Sequence, residues 1–114
     1  MSDVLARASE LGRALRDTPE FRALRDAESA VMASPESVTL AEALGTLHRQ
    51  RAEAEKSGKP MDPATAARVE AVTGAVAVDP LLQALSRAQQ EFQALVHRVN
   101  RAMLDELKPP PGGA

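Results

Sequence analysis

A long apolar stripe near the C-terminus limits the possible folds of this chain most strongly. Between Asp79 and Leu107, apolar side chains recur at alternating steps of four and three residues, which keeps them on one helical face. The stripe consists of Leu81, Leu85, Ala88, Phe92, Leu95, Val99 and Ala102. A second row, Leu82, Gln89, Val96 and Met103, widens it on one flank. The pattern predicts an amphipathic helix whose stripe must be covered by other helices.

The length of this helix also limits the fold. At 1.5 Å per residue it would run about 40 Å, which is longer than a domain of this size is usually wide. We therefore expect the helix to project from the domain, to pair with a second chain, or both. One side of the stripe would contact helices of its own chain, and another side would contact a second subunit.

Four helix starts share one signal, a capping residue followed by proline. The signal occurs at Thr18-Pro19, Ser34-Pro35, Asp62-Pro63 and Asp79-Pro80. In each pair the first side chain can accept a hydrogen bond from the opening turn, and the fixed φ of proline suits the first helical position. A further amphipathic helix opens the chain near Ser2 or Asp3. These signals predict five helices.

The remaining segments fit the same organisation. Gly58 can end the third helix in a left-handed conformation, and Pro60 prevents that helix from resuming. No run alternates between apolar and polar residues as a strand would. The sequence predicts an all-α fold, an elongated bundle of about five helices, with one domain over residues 1–107. Residues 108–114, rich in proline and glycine, are predicted to be a disordered tail.

The chain has few large apolar side chains. The chain has 13 leucines, 9 valines and 2 phenylalanines but no isoleucine, tyrosine or tryptophan, so alanine makes up much of its apolar fraction. Alanine favours helices but buries little apolar area, so one chain can form only a small core. Burial of apolar side chains between subunits would compensate for that small core. We therefore expect a homodimer or higher homo-oligomer. The predicted core and interface residues are Phe21, Leu24, Leu44, Leu81, Leu82, Leu85, Phe92, Leu95, Val96, Val99 and Met103.

Composition argues against several classes of partner. The net charge is −2, and no aromatic residue accompanies the arginines to stack on bases, so direct nucleic-acid binding is not expected. No apolar run approaches the length of a membrane span, and the polar helix faces lack a lysine-rich belt for a membrane surface. We expect a cytoplasmic protein.

The absence of cysteine excludes disulfides, thiolate catalysis and cysteine-held metal centres.

No arrangement of residues predicts catalysis. The two histidines, His48 and His97, lack metal-ligand spacing, and we expect His97 to be exposed and His48 to lie at the edge of a helical stripe. The glycines are too scattered to form a phosphate-binding loop. The sequence therefore predicts a protein that is not an enzyme and has no metal or cofactor.

Several helix-start patterns resemble those of a known family. They are the opening helix over residues 8–15, the break and restart over residues 17–24, Ala27-Glu28, and the later start over residues 78–85. With the long terminal helix, they make the chain similar to the YlbF/YmcA family of small all-helical bacterial regulators over residues 3 to about 107.

The resemblance implies a protein that self-associates and acts through other proteins. Members of that family are linked to competence, sporulation and biofilm control, and some form complexes that adjust messenger-RNA cleavage by a membrane-anchored ribonuclease. Some of those complexes hold iron–sulfur clusters through cysteines, which this chain lacks. The sequence thus predicts a cysteine-free regulatory adaptor whose partners are itself, other family members or a ribonuclease complex. The alternative is a structural or chaperone-like helical scaffold without a regulatory partner.

Overall fold

The computed structural model describes residues 2–109, in which five α-helices and no strand occur. The helices are α1 (Ser2–Arg16), α2 (Pro19–Met32), α3 (Pro35–Ser57), α4 (Pro63–Val78) and α5 (Pro80–Glu106). The all-α fold and the long last helix are therefore confirmed. Of the predicted tail, Lys108 and Pro109 follow α5 without helical structure, and residues 110–114 lie outside the described part.

The four predicted caps all act in the same way. In each, the side-chain oxygen accepts a hydrogen bond from the backbone N–H three residues later. The distances are 3.2 Å from Phe21 to Thr18, 3.3 Å from Ser37 to Ser34, 2.8 Å from Thr65 to Asp62 and 3.0 Å from Leu82 to Asp79. Each bond satisfies a backbone donor that has no partner within the helix, so four of the five helix starts are fixed by residues next to them in sequence.

Two of the predicted breaks also have local causes. Thr18 joins the end of α1 to the start of α2, because its hydroxyl donates to the Leu15 carbonyl at 2.6 Å while accepting from Phe21. Gly58 ends α3 at a φ of 73°, and its N–H donates to the Glu55 carbonyl at 3.3 Å. A left-handed backbone disfavours a residue with a Cβ, which explains the glycine.

The chain divides into two compact units. The central unit is Asp26–Ser86, and the terminal unit combines Met1–Arg25 with Arg87–Ala114. The central unit holds the end of α2, all of α3 and α4, and the first residues of α5. The terminal unit holds α1, the start of α2 and the greater part of α5.

The central unit is built on an antiparallel helical hairpin of α3 and α4, which pack against each other. Ser37 at the start of α3 bonds Asp79 just beyond the end of α4, while the loop after Gly58 joins the opposite ends. Both helices rise by the same distance per residue, and they run in opposite directions. The residue ten positions after Ser37 therefore lies level with the residue ten positions before Asp79. These residues are Leu47 and Val69, and both are buried.

Together with Val31 and Leu82, Leu47 and Val69 form the apolar core of the central unit. Leu44 lies one turn before Leu47 and is half-buried, as are Val72 and Val76 on the inward face of α4. This core fixes the hairpin and holds the start of α5.

Candidate interaction surface

The predicted core and interface residues fall into three classes of burial. Leu82 is buried and Met103 is exposed. The others are half-buried within the single chain, and they are Phe21, Leu24, Leu44, Leu81, Leu85, Phe92, Leu95, Val96 and Val99. Most of the apolar stripe on α5 therefore keeps part of its surface accessible. Whether a second subunit covers that surface remains a prediction.

The structure brings two of these residues together in the terminal unit. The rings of Phe21 on α2 and Phe92 on α5 have centroids 5.4 Å apart and planes inclined at 57°. This tilted arrangement is one that aromatic pairs favour electrostatically. The guanidinium carbon of Arg25 lies 5.9 Å from the centre of the Phe21 ring, within the range of a cation–π contact. These two phenylalanines are the only aromatic residues of the chain, and they contact each other.

The terminal unit has little fully buried apolar surface. Across residues 3–25 and 87–109, the only buried residue is Ala88. The larger side chains along α1 and α5, such as Leu11, Leu15, Leu95 and Val99, are half-buried. The described part of this unit therefore removes its larger apolar side chains from water only in part.

Five large apolar side chains in the described part of the terminal unit are exposed. They are Val4 and Leu5 on α1, and Met103, Leu104 and Leu107 at the end of α5. Leu5 is 72% exposed and Leu104 is 60% exposed. Leu107 follows Met103 by four positions and Leu104 by three, so these three side chains share one turn. Of the five residues, only Met103 belonged to the predicted set.

The sequence signal for the missed residues is weak. Val4 and Leu5 belong to the same amphipathic pattern of α1 as the half-buried Leu11 and Leu15, and the pattern does not distinguish them. Leu104 and Leu107 lie outside both rows of the α5 stripe, so the heptad pattern gave no reason to select them. A search for large apolar residues outside the predicted rows of α5 would have identified these two leucines.

One buried polar contact organises the central unit. Ser37 is 2% exposed, and its hydroxyl donates to the Asp79 carboxylate at 2.9 Å and 3.2 Å from the two oxygens. Asp79 also accepts from the N–H groups of Leu81 and Leu82, both at 3.0 Å. The bond from Leu82, with smaller contributions from Ser37 and Leu81, lowers the pKa of Asp79 below its ordinary value, although partial desolvation opposes this. The carboxylate thus links the start of α3 to the start of α5.

The described residues contain no cluster of metal-ligating side chains. Both histidines are exposed, so His97 lies where it was predicted and His48 is more accessible than the predicted stripe edge. Within residues 2–109, no three side chains of the metal-ligating types converge. The surface has open depressions, one beside the α3–α4 loop lined in part by Arg51, Glu55, Lys59 and Met61. Charges of both signs on an open loop do not form a cleft for acid–base chemistry.

Comparison with known proteins identifies the family. The family described as "Control of competence regulator ComK, YlbF/YmcA" matches residues 4–108, which is nearly the whole chain. The chain belongs to the YlbF/YmcA family. The resemblance predicted from the helix starts is therefore confirmed. No curated protein matches the chain.

Family membership defines the kind of protein. YlbF/YmcA proteins are regulators associated with control of competence and of the competence regulator ComK. As a YlbF/YmcA protein without cysteine, this chain cannot supply thiolate ligands to a metal centre. No helix within residues 2–109 combines the length and apolar character that a membrane span requires.

Proposed function

We propose that this YlbF/YmcA protein is a non-enzymatic regulatory adaptor that acts by helix-mediated binding to other proteins. The observation that carries the proposal is the uncovered apolar surface of the terminal unit. Large side chains on α1 and α5 stay accessible, and Ala88 alone is buried among residues 3–25 and 87–109. Monomeric proteins seldom leave clustered apolar side chains uncovered, and such surfaces mark sites of protein contact.

The proposed process is control of RNA processing and developmental gene expression, including competence, sporulation and biofilm formation. Membership in a family of competence regulators supports this part of the proposal. The partners we propose are a second copy of the chain, other members of the family, and a ribonuclease complex. A regulator of messenger-RNA processing works where messenger RNA is made and cut, so the proposal includes a cytoplasmic location in a bacterium.

The first test is affinity capture of the tagged chain from its native host, followed by mass spectrometry. The adaptor function predicts a small set of recurring RNA-processing proteins in stoichiometric amounts. A wide range of unrelated client proteins would instead support a chaperone-like scaffold and would overturn the proposal.

A second test measures the regulatory effect itself. We expect deletion of the gene to change messenger-RNA cleavage at a defined set of sites, as mapped by sequencing of transcript 5′ ends, while the abundance of the ribonuclease stays constant. The complemented strain should restore the original cleavage pattern. Unchanged 5′ ends in the deletion strain would contradict the proposed role in RNA processing.

A further inference from the structure

We infer that the end of the central unit at which α2 meets α3 and α4 meets α5 is a docking surface for a cationic amphipathic segment of another protein. This inference rests on the proposed binding function and deepens it, because it assigns a further surface and the chemistry of the partner that fits it. Its observations are exposed apolar side chains at this end of the α3–α4 hairpin, an open depression beside them, and a one-sided distribution of charge within the central unit.

Two large apolar side chains of the central unit are exposed at the same end of the hairpin. Met32 is the last residue of α2 and is 73% exposed, and Val78 is the last residue of α4 and is 79% exposed. The hydrogen bond from Ser37 to Asp79 holds the start of α3 beside the end of α4, so the ends of α2 and α4 both lie here. The apolar area is therefore built from two helix ends that the fold brings to one place.

An open depression at the start of α3 continues this apolar area. It has a volume of about 350 Å³ and is lined by Pro35, Glu36, Thr39 and Leu40. Pro35 and Leu40 supply apolar surface, and the exposed Glu36 supplies a carboxylate. Apolar side chains with a charged rim are typical of protein contact sites. The residues that we call the junction surface are Met32, Pro35, Glu36, Leu40 and Val78.

The basic residues of the central unit all lie toward the opposite end of the hairpin. They are Arg49, Arg51, Lys56, Lys59 and Arg68, in the second half of α3, the α3–α4 loop and the start of α4. The rest of the unit contains no lysine or arginine. It carries four acidic residues within residues 26–48 and two within residues 69–86. The part of the central unit that holds the junction surface is therefore anionic.

This charge distribution selects the partner. In a symmetric contact with a second copy, the anionic surface would face itself and be repelled. Nucleic acids and anionic membranes are repelled for the same reason. A protein segment with apolar side chains on one face and lysine or arginine along its edges fits both properties of the surface. Its apolar face can cover Met32 and Val78 while its cations meet the surrounding carboxylates.

Titration of a synthetic peptide into the full-length chain locates the contact. The peptide is a helix former of about 18 residues, with leucines at i, i+3 and i+4 spacing and lysines beside them. In amide correlation NMR spectra, we expect the shifts to concentrate at Met32, Glu36 and Val78, while Arg51 and Lys59 at the loop end stay unchanged. Peptides with glutamate in place of lysine, or with serine in place of leucine, should each bind at least about tenfold more weakly.

Substitutions on the junction surface measure its contribution to peptide affinity, as followed by fluorescence anisotropy. Val78→Ser removes an exposed apolar side chain and should raise the dissociation constant at least about fivefold. Glu36→Gln should raise it about two- to fivefold, the effect of one exposed charge pair. The matched controls at the loop end are Met61→Ser and Glu53→Gln, which should change it less than about twofold. Circular dichroism checks the helical content, and Met32→Ser replaces either junction variant that loses it.

The inference is overturned if the amide shifts concentrate outside the junction surface, if the serine peptide binds as tightly as the leucine peptide, or if the loop-end variants weaken binding as much as the junction variants. Self-association that is lost in Val78→Ser, as measured by sedimentation equilibrium, would assign the surface to a second copy and would also overturn it.

Failure here is distinct from failure of the proposed function. A chain that does not bind the peptide but still captures RNA-processing proteins would retain the adaptor role and lose only the junction surface. A chain that binds the peptide as expected but captures a wide range of unrelated clients would lose the adaptor role and keep the cationic specificity of this surface.

Discussion

The hydroxyl of Ser37 and the carboxylate of Asp79 connect two helix starts that are 42 residues apart in sequence, with a shortest oxygen–oxygen distance of 2.9 Å. Asp79 caps α5 through the N–H groups of Leu81 and Leu82 and receives the Ser37 hydroxyl in addition. A single carboxylate thus sets where α5 begins and aligns the α3–α4 hairpin with it.

Ser37→Ala should destabilise the chain by about 1.5 to 3 kcal/mol, the range for a hydrogen bond to a charged group. Urea unfolding at one fixed protein concentration measures the change. Ser29→Ala is the matched control, because Ser29 is exposed on α2 and its replacement should change the free energy of unfolding by less than about 0.5 kcal/mol. Equal effects of the two substitutions would mean that the bond to Asp79 contributes nothing to stability.

Stability should fall at acidic pH through Asp79 and Asp62. The pKa of Asp79 is lowered first by the hydrogen bond from Leu82, and that of Asp62 first by the bond from the Thr65 N–H. The unfolded chain then binds these protons at higher pH than the folded chain does. The stabilisation is therefore complete above the ordinary aspartate pKa of 3.8 and is lost as pH falls through the lower folded values.

Urea midpoints measured from neutral pH down to about pH 2 test this dependence. In Asp62→Asn/Asp79→Asn the asparagines can still cap but do not titrate, so the midpoint should fall less on acidification than in the wild type. An identical acid dependence in the double variant would show that these two carboxylates do not carry the effect.

The Phe21–Phe92 contact should appear as a coupling energy between the two positions. A double-mutant cycle of Phe21→Leu and Phe92→Leu should give about 0.5 to 1.5 kcal/mol, the typical energy of an aromatic pair beyond its area burial. Phe92→Leu combined with Met103→Ala is the control, because these positions of α5 are 103 − 92 = 11 residues, or about 16 Å, apart along one helix. This pair should be additive within about 0.5 kcal/mol. A coupling energy near zero would show that the contact between the two rings does not stabilise the terminal unit.

Gly58 and Gly74 should respond in opposite directions to alanine. Gly58 has a left-handed backbone, so Gly58→Ala should destabilise the chain by about 1 kcal/mol. Gly74 lies inside α4 with nothing within 4 Å of the position of an added Cβ, so Gly74→Ala should stabilise it by about 0.5 to 1 kcal/mol. Thermal unfolding followed by circular dichroism separates the two, and a loss of stability in Gly74→Ala would refute the open environment of that glycine.

The sequence predicted the helix starts well because each signal is local. Thr18, Ser34, Asp62 and Asp79 need only the residues that follow within three positions, and all four form the predicted bond. The family was predictable for the same reason, since its resemblance consists of the opening helix, the starts at Thr18 and Asp79, Ala27-Glu28 and the long last helix.

Long-range partners were not predictable in this way. In the sequence, Ser37 is an ordinary serine in the first turn of a helix. Only the folded α3–α4 hairpin brings its hydroxyl within hydrogen-bond distance of Asp79. Leu104 and Leu107 lie outside the heptad rows, and the sequence pattern alone does not show that they remain exposed. Periodicity identifies which side chains share a helical face, but it does not identify what covers that face.

The central claim is the proposed one, that the accessible apolar side chains of the terminal unit bind partner proteins, a second copy of the chain among them. Because the chain has no cysteine, a single Leu104→Cys or Val78→Cys variant can be cross-linked at one defined position with a short bismaleimide. We predict that Leu104→Cys gives a covalent dimer in high yield at low micromolar concentration, while Val78→Cys stays almost entirely monomeric under the same conditions. Equal yields for the two variants, or a higher yield for Val78→Cys, would contradict the claim.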